Sequence, residues 1–340
     1  MLSNLSLSRL GLLLIAVMAL SLTSCNDDDD TILGIDFDDD GTLFLSSNTS
    51  GMVGVVNLED GAPDIETFTA SGTDADGLYY DTDEGNLYQV DRTNNVLVEY
   101  NDVIDDLDDP NGVDVESRST SDFTNGRGLA YRNKQFVVAQ QGSDENDNAN
   151  RLVVYNILTG DDIQTGYAFD TDIALWGIQF VGSDLYAVVD KSDSVAVFTG
   201  LLNNAPGTMV TPDRYIKVDG ITRTHGLEYN AEDDIMILTD IGDAASDTDG
   251  GLVILRNFST LGNLTSVGAE SYTRIGGATT TLGNPVDVAY DQDTDRIYVA
   301  DRATNGGTLL IFEGTASGDV APMTSLPFPG LSSLYLHRDN

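Results

Sequence analysis

The sequence predicts an all-β fold: one β-propeller of six four-stranded antiparallel blades, with seven as the alternative count, its ring closed by the C-terminal strand. Three observations predict it. A small turn residue followed by an apolar–x–aromatic pair recurs six times, as Gly34-Ile-Asp-Phe37, Gly77-Leu-Tyr-Tyr80, Gly128-Leu-Ala-Tyr131, Gly177-Ile-Gln-Phe180, Gly226-Leu-Glu-Tyr229 and Asp287-Val-Ala-Tyr290. The starts lie roughly fifty residues apart, the length of a propeller repeat, and an apolar strand follows each about ten residues later. No stretch of useful length carries the i, i+3, i+4, i+7 spacing of an amphipathic helix.

The chain opens on a basic residue, Arg9, and an apolar run over residues 10–22. The run is too short to cross a membrane as a helix and has the layout of a cleaved secretion signal. It ends in Leu22-Thr-Ser-Cys25, which resembles the lipobox of bacterial lipoproteins; the resemblance implies that Cys25 is lipidated and becomes the mature N-terminus. Cys25 is the only cysteine in 340 residues, so an intrachain disulfide and a thiolate zinc site are both ruled out. Asn26 and the four aspartates at 27–30 read as a solvated tether. They also resemble the acidic export signal of Bacteroidota lipoproteins, which implies an outer-membrane anchor with the domain displayed at the surface, a periplasm-facing anchor being the alternative. The expected organisation is a signal peptide at 1–24, a tether at 25–30 and a single propeller at 31–340.

A net charge of −40 and a pI near 4.1 set the choice of partner. Such a field repels nucleic acid and anionic headgroups, attracts cations, and opposes self-association, so a monomer is expected.

Within the second repeat, Leu78 to Tyr80 begin a first strand, Asp81-Thr-Asp-Glu-Gly85 turns, Leu87-Tyr-Gln-Val90 returns, Asp91-Arg-Thr-Asn-Asn95 turns again and Val96-Leu-Val-Glu-Tyr100 makes a third strand. A polar segment at 115–121 supplies the fourth. Apolar residues run on rather than alternate strictly, as they must when both faces of a blade are covered. Asp91, Asp190, Asp240 and Asp301 each close a second strand and are expected to accept backbone N–H groups of the following turn. The pattern resembles NHL-repeat and SMP-30/gluconolactonase-like propellers, closest in Asn284-Pro-Val-Asp-Val-Ala-Tyr290 with Asp295-Arg-Ile-Tyr-Val-Ala-Asp301. Ser333-Leu-Tyr-Leu336 reads as one further first strand, placed to close the ring beside the first repeat.

Candidate sites come from breaks in the repeat. The residue before each turn residue is Leu33, Asp76, Arg127, Trp176, His225, Val286 and, in the closing strand, Ser332. Packing positions should repeat one residue type, whereas Asp76, Arg127, Trp176 and His225 are an acid, a base, the only tryptophan and one of two histidines. They form the candidate ligand-binding ring at one mouth of the channel, with Trp176 as a stacking surface. Glu228 and Asp287 are candidate axial metal ligands. Asp36, Asp38 and Asp40, with Gly41, resemble the opening of a calcium loop but lack its closing glutamate. Aspartates in the turns at 81–85 and 291–295 fit ordinary hairpins as well as calcium.

Two functions fit. The first is a non-catalytic displayed propeller that binds a glycan, peptide or protein at the channel mouth, since no complete catalytic set is present. The second follows from the SMP-30 resemblance: a calcium-dependent lactonase, with Glu228, Asp287 and Asp76 holding the ion and His225 as general base. A phytase-like propeller would need more cationic side chains than this chain has.

Overall fold

A computed structural model describes residues 31–32, 35–36, 41–58, 63–157, 163–243, 245–303 and 306–338. Six four-stranded antiparallel blades form a ring. Blade 2 comprises Ala75–Asp81, Asn86–Asp91, Val96–Tyr100 and Val115–Arg118. Blade 3 comprises Gly126–Arg132, Gln135–Gln140, Asn150–Ile157 and Ile163–Thr171. Blade 4 comprises Leu175–Val181, Asp184–Val189, Ser194–Phe198 and Arg214–Val218. Blade 5 comprises Leu227–Asn230, Ile235–Asp240, Gly251–Arg256 and Thr273–Gly276. Blade 6 comprises Pro285–Asp291, Arg296–Asp301, Thr308–Glu313 and Thr324–Pro327.

Blade 1 is composite. Its first strand is the C-terminal Leu331–His337, which pairs antiparallel with Thr42–Ser47 from the other end of the chain; Met52–Asn57 and Glu66–Thr69 follow outward. This corrects the reading of Gly34-Ile-Asp-Phe37 as an inner strand. Among the described residues, Ile35–Asp36 pairs only with Thr31–Ile32, in a separate two-stranded ribbon. The closing strand therefore replaces the first repeat's inner strand, and six is the blade count.

The core explains why strands of mixed pattern form such blades. Six apolar clusters fill the six interfaces between blades. Alternate residues of one strand serve different interfaces: Ile297 and Val299 face blade 5, while Tyr298 and Ala300 face blade 1. Both faces are buried, so the strand is apolar throughout although its side chains still alternate. Each first strand touches the first strands of both neighbours, and together they enclose the axial channel.

The long fifth repeat has a local cause. After Gly251–Arg256 the chain forms a short helix at Phe258–Leu261 and then reaches back, so that Ser266–Val267 pairs in parallel with the outer strand of blade 4. The insertion covers an outer edge that would otherwise be open.

Candidate functional site

At the start of the first strands, a structural rule and its exceptions shape the channel. In blades 2 to 5 the turn position is Gly77, Gly128, Gly177 and Gly226, where neighbouring inner strands come closest. A Cβ would lie 2.5 Å from the Leu129 nitrogen at Gly77, 2.7 Å from the Trp176 carbonyl at Gly128 and 2.6 Å from the His225 carbonyl at Gly177. Glycine is required by close backbone approach there. Blades 6 and 1 carry Asp287 and Ser333 instead, and these side chains bridge the gap. Asp287 Oδ2 accepts the Ser333 hydroxyl at 2.7 Å and the Leu334 N–H at 3.0 Å, and its Oδ1 accepts the Val288 N–H at 3.0 Å. Asp287 thus stitches the last blade to the closing strand.

The residues just before the turn position form the mouth. The structure brings Asp76, Arg127, Trp176 and His225 together as one continuous stack. Arg127 Nη1 lies 3.5 Å from Asp76 Oδ2, with both side chains about nine-tenths buried. The Arg127 guanidinium carbon sits 3.9 Å above the Trp176 ring, and the His225 ring stacks on Trp176 at 3.7 Å with the planes 10° apart. Cation–π attraction and aromatic stacking lock the indole between them. Both faces of Trp176 are covered, which corrects its reading as an open stacking surface.

A residue that the sequence reading missed completes the network. Asp190 Oδ1 accepts from His225 Nε2 at 3.2 Å and from Arg223 Nε at 2.9 Å, and Oδ2 accepts from Gln141 Nε2 at 2.6 Å. Gln141 Oε1 in turn accepts from Arg127 Nε at 3.1 Å, closing the loop. Asp190 was grouped with Asp91, Asp240 and Asp301, and three of those four do cap turns. Asp240 Oδ1 takes the N–H groups of Thr222, Arg223 and Gly242; Asp301 takes those of Gly283, Asn284 and Ala303; Asp91 takes that of Asn94. The register separates Asp190 from them. Asp91 pairs with Ala75 and Asp301 with Pro285, but Val189 pairs with the corresponding Leu175. Asp190 is one residue further on, and a shift of one residue along a strand end turns a side chain to a different face. A signal existed in the spacing: Asp190 lies thirteen residues after Gly177, whereas Asp91, Asp240 and Asp301 lie fourteen after Gly77, Gly226 and Asp287.

The electrostatics follow from burial. Burial lowers His225 to about 4 against the pull of Asp190, so the imidazole is neutral at neutral pH and donates from Nε2. Its Nδ1 is then a buried acceptor without a hydrogen-bond partner. Burial works to raise Asp190, yet hydrogen bonds from His225 and Arg223, with the Arg223 charge, hold it down to about 2. Arg127 is lowered to about 10 by burial and remains charged.

Below the mouth lies a cavity of about 270 Å³, walled by the inner strands. Glu228 projects into it, receiving Gln179 Nε2 at 3.3 Å. It is partly accessible along the wall, yet protein encloses it on all sides. That confinement, and then the Asp287 charge, raise it to about 8. Burial likewise raises Asp287 to about 6, its hydrogen bonds opposing. Glu228 also borders a second cavity opening toward the opposite face, so it stands at the waist of the channel.

The remaining candidates fall elsewhere. Asp38, Asp40 and Cys25 lie outside the described residues, as does the Asp36 side chain. In the other aspartate turns Asp81 Oδ1 accepts the Asp83 N–H and Asp291 Oδ1 the Asp293 N–H, each in an Asx turn, and Asp291 Oδ2 also accepts from Arg338 beyond the closing strand. Among the described residues no three His, Cys, Asp or Glu side chains converge tightly enough to hold a metal ion.

No family model and no curated protein matches the chain. Solved structures do. A chain of a nidogen/laminin complex superposes with a TM-score of 0.60 at 15% identity, over 87% of this chain and 98% of that one. The periplasmic gluconolactonase of Pseudomonas aeruginosa superposes with a TM-score of 0.57 at 13% identity, again over 87% and 98%. A protein of unknown function from Bacteroides caccae reaches 0.56 at 10% identity, over 88% and 99%. The likeness is one of fold. At such identities no residue role passes between them.

Proposed function

We propose that the protein is a cell-envelope lipoprotein, anchored to the outer membrane through lipidated Cys25, whose surface-displayed propeller binds a small extracellular ligand in the axial channel without turning it over. The closed network Asp76–Arg127–Trp176–His225–Asp190–Gln141 carries this reading. Six side chains from four blades are held in fixed orientations around an entrance, and fixed polar groups above a small cavity are the means by which a rigid scaffold selects a ligand. The cavity, somewhat smaller than a drug-sized pocket, suits one compact group, such as a single sugar ring or the head of a peptide side chain, more than a protein surface.

The test is a thermal-shift screen of the mature chain carrying Cys25→Ser against sugars, sugar acids, amines and short peptides. At least one compound is expected to raise the melting temperature saturably in the wild type and not in His225→Asn. A panel with no such compound overturns the reading.

A second reading, lactone hydrolysis, is favoured by the Asp190–His225 pair, in which a carboxylate fixes the tautomer of an imidazole, and by the gluconolactonase among the similar folds. Against it stand the low basicity of His225 and the commitment of Asp287 to ring closure. Turnover of gluconolactone that disappears in His225→Asn would establish it.

A further inference from the structure

The wall of the axial cavity is one-sided in charge. Asp76, Glu228 and Asp287 all line it, and among the described residues no lysine or arginine does. Arg127 lies over the face of Trp176, outside that wall, and pairs with Asp76, whose carboxyl also feels the charges of Arg92 and Arg302. The ion pair to Asp76 is long, at 3.5 Å, for a carboxylate about nineteen-twentieths buried. A buried carboxylate without close donors is costly, and several sharing one low-dielectric space are costlier. His225, itself 3% exposed, adds an acceptor to the same wall with its unpartnered Nδ1. Above the pH at which Glu228 ionises, the cavity is therefore rich in acceptors and negative charge.

Aromatic rings make up part of the remaining wall, among Leu78, Ile178 and other aliphatic side chains. Tyr79, Tyr131 and Tyr335 form a cluster whose ring centroids lie 4.5 Å (Tyr79–Tyr131) and 5.2 Å (Tyr79–Tyr335) apart. These rings come from blades 2, 3 and 1, while Glu228 comes from blade 5.

We propose that this cavity binds an organic cation, an ammonium group that faces the carboxyls of Asp76, Glu228 and Asp287 and packs against the tyrosine cluster. The inference rests on the ligand-binding reading above and names the class of ligand. Three alternatives fit the wall less well. An anion would find no cationic side chain there. A calcium ion needs six or more oxygens focused on one point, whereas among the described residues no three such ligands converge. A neutral polyol would supply donors but leave the crowded charge uncompensated. An ammonium supplies both donors and charge, and its carbon substituents suit aromatic faces. The high negative charge of the whole molecule steers such a ligand toward the channel.

Trp176, the sole tryptophan, lies on the cavity wall and reports occupancy directly. The mature chain with Cys25→Ser is titrated with choline, with dimethylbutanol as its neutral carbon isostere, with glucose and with calcium chloride. The buffer is mildly alkaline and high in sodium chloride, so that diffuse attraction is screened. Choline is expected to change Trp176 emission saturably, dimethylbutanol and glucose not at all. Glu228→Gln and Asp76→Asn are each expected to weaken choline by about tenfold, the loss of one charge-assisted contact, with unchanged circular dichroism at working temperature. If dimethylbutanol or glucose binds as well as choline, the cation proposal falls while the binding function stands. Equal choline affinity in both variants overturns it too, as does a saturable response to calcium that Glu228→Gln abolishes. Failure of every probe overturns the proposal and, with an empty thermal-shift screen, the binding function itself.

Discussion

Glu228 on the channel wall and Asp190 in the network at its mouth are both enclosed by protein, and their surroundings push their carboxyls in opposite directions. Asp190 has four side-chain donors, two of them on Arg223, and stays ionised far into acid. Glu228 has one weak amide donor and a like charge nearby, and rises from 4.5 to about 8. The consequence for stability follows from the sign of that shift. Between those two pH values the folded chain holds a proton that the unfolded chain has released, so the contribution is full below the lower value and is lost as pH rises through the upper one. Glu228→Gln cannot ionise. The melting temperature of the wild type should therefore fall by several degrees relative to Glu228→Gln between mildly acidic and mildly alkaline buffer. Parallel curves across that range would mean that Glu228 is solvated and ionised in the folded protein. His225 and Asp287 are present in both proteins, so the comparison isolates Glu228 together with its coupling to Asp287.

At the scale of the strand, the inner ring depends on four glycines and one carboxylate. The glycines let neighbouring backbones touch, and the Gly177 N–H donates to the His225 carbonyl at 2.9 Å across the gap. An added methyl at Gly177 would meet that carbonyl oxygen, and backbone cannot rotate aside as a side chain can. Gly177→Ala should destabilise the protein by about 2–3 kcal/mol, as overpacking does, and shift Trp176 emission because the adjacent stack must move. Urea unfolding followed by that fluorescence measures both effects; a loss below about 0.5 kcal/mol would show that the inner strands have slack. The repeat motif made these glycines conspicuous in the sequence. The reason for Asp287 in the same slot was not legible, because its partners Ser333 and Leu334 lie at the far end of the chain. The same applies at the mouth. Irregularity within a regular repeat singled out Asp76, Arg127, Trp176 and His225, but Gln141 and Arg223 carry no irregularity of their own, and Asp190, one residue out of step, mimics a capping position.

For the molecule as a whole, closure is the cooperative element. The C-terminal strand pairs with Thr42–Ser47, contributes Leu331 and Leu334 to the interface with blade 6, and its Ser332 hydroxyl donates to the Ala75 carbonyl of blade 2 at 2.8 Å. Removing the chain from residue 331 onward would expose a strand edge on blade 1, strip the interfaces on either side and leave Asp287 without its cross-chain donors. The truncated protein should lose its cooperative unfolding transition and become protease-sensitive or self-associating, as unpaired edges do. Size-exclusion chromatography with limited proteolysis checks this; a monomeric, protease-resistant product would show that the ring holds without its clasp.

The sequence by itself determined the propeller, its four-stranded blades, the closing strand and the four residues that interrupt the repeat at the mouth. These are properties of local pattern: turn chemistry and side-chain alternation act within a few residues, and a repeat displays them several times over. Only the tertiary structure decided that the inner strand of blade 1 comes from the C-terminus, that Trp176 is covered on both faces, that Asp190 belongs to the site, and that the cavity is lined by carboxyls with Arg127 outside its wall. Each of these depends on the pairing register or on contacts between residues far apart in the chain. A shift of one residue in pairing changes which side chain reaches the axis while leaving the local pattern unchanged.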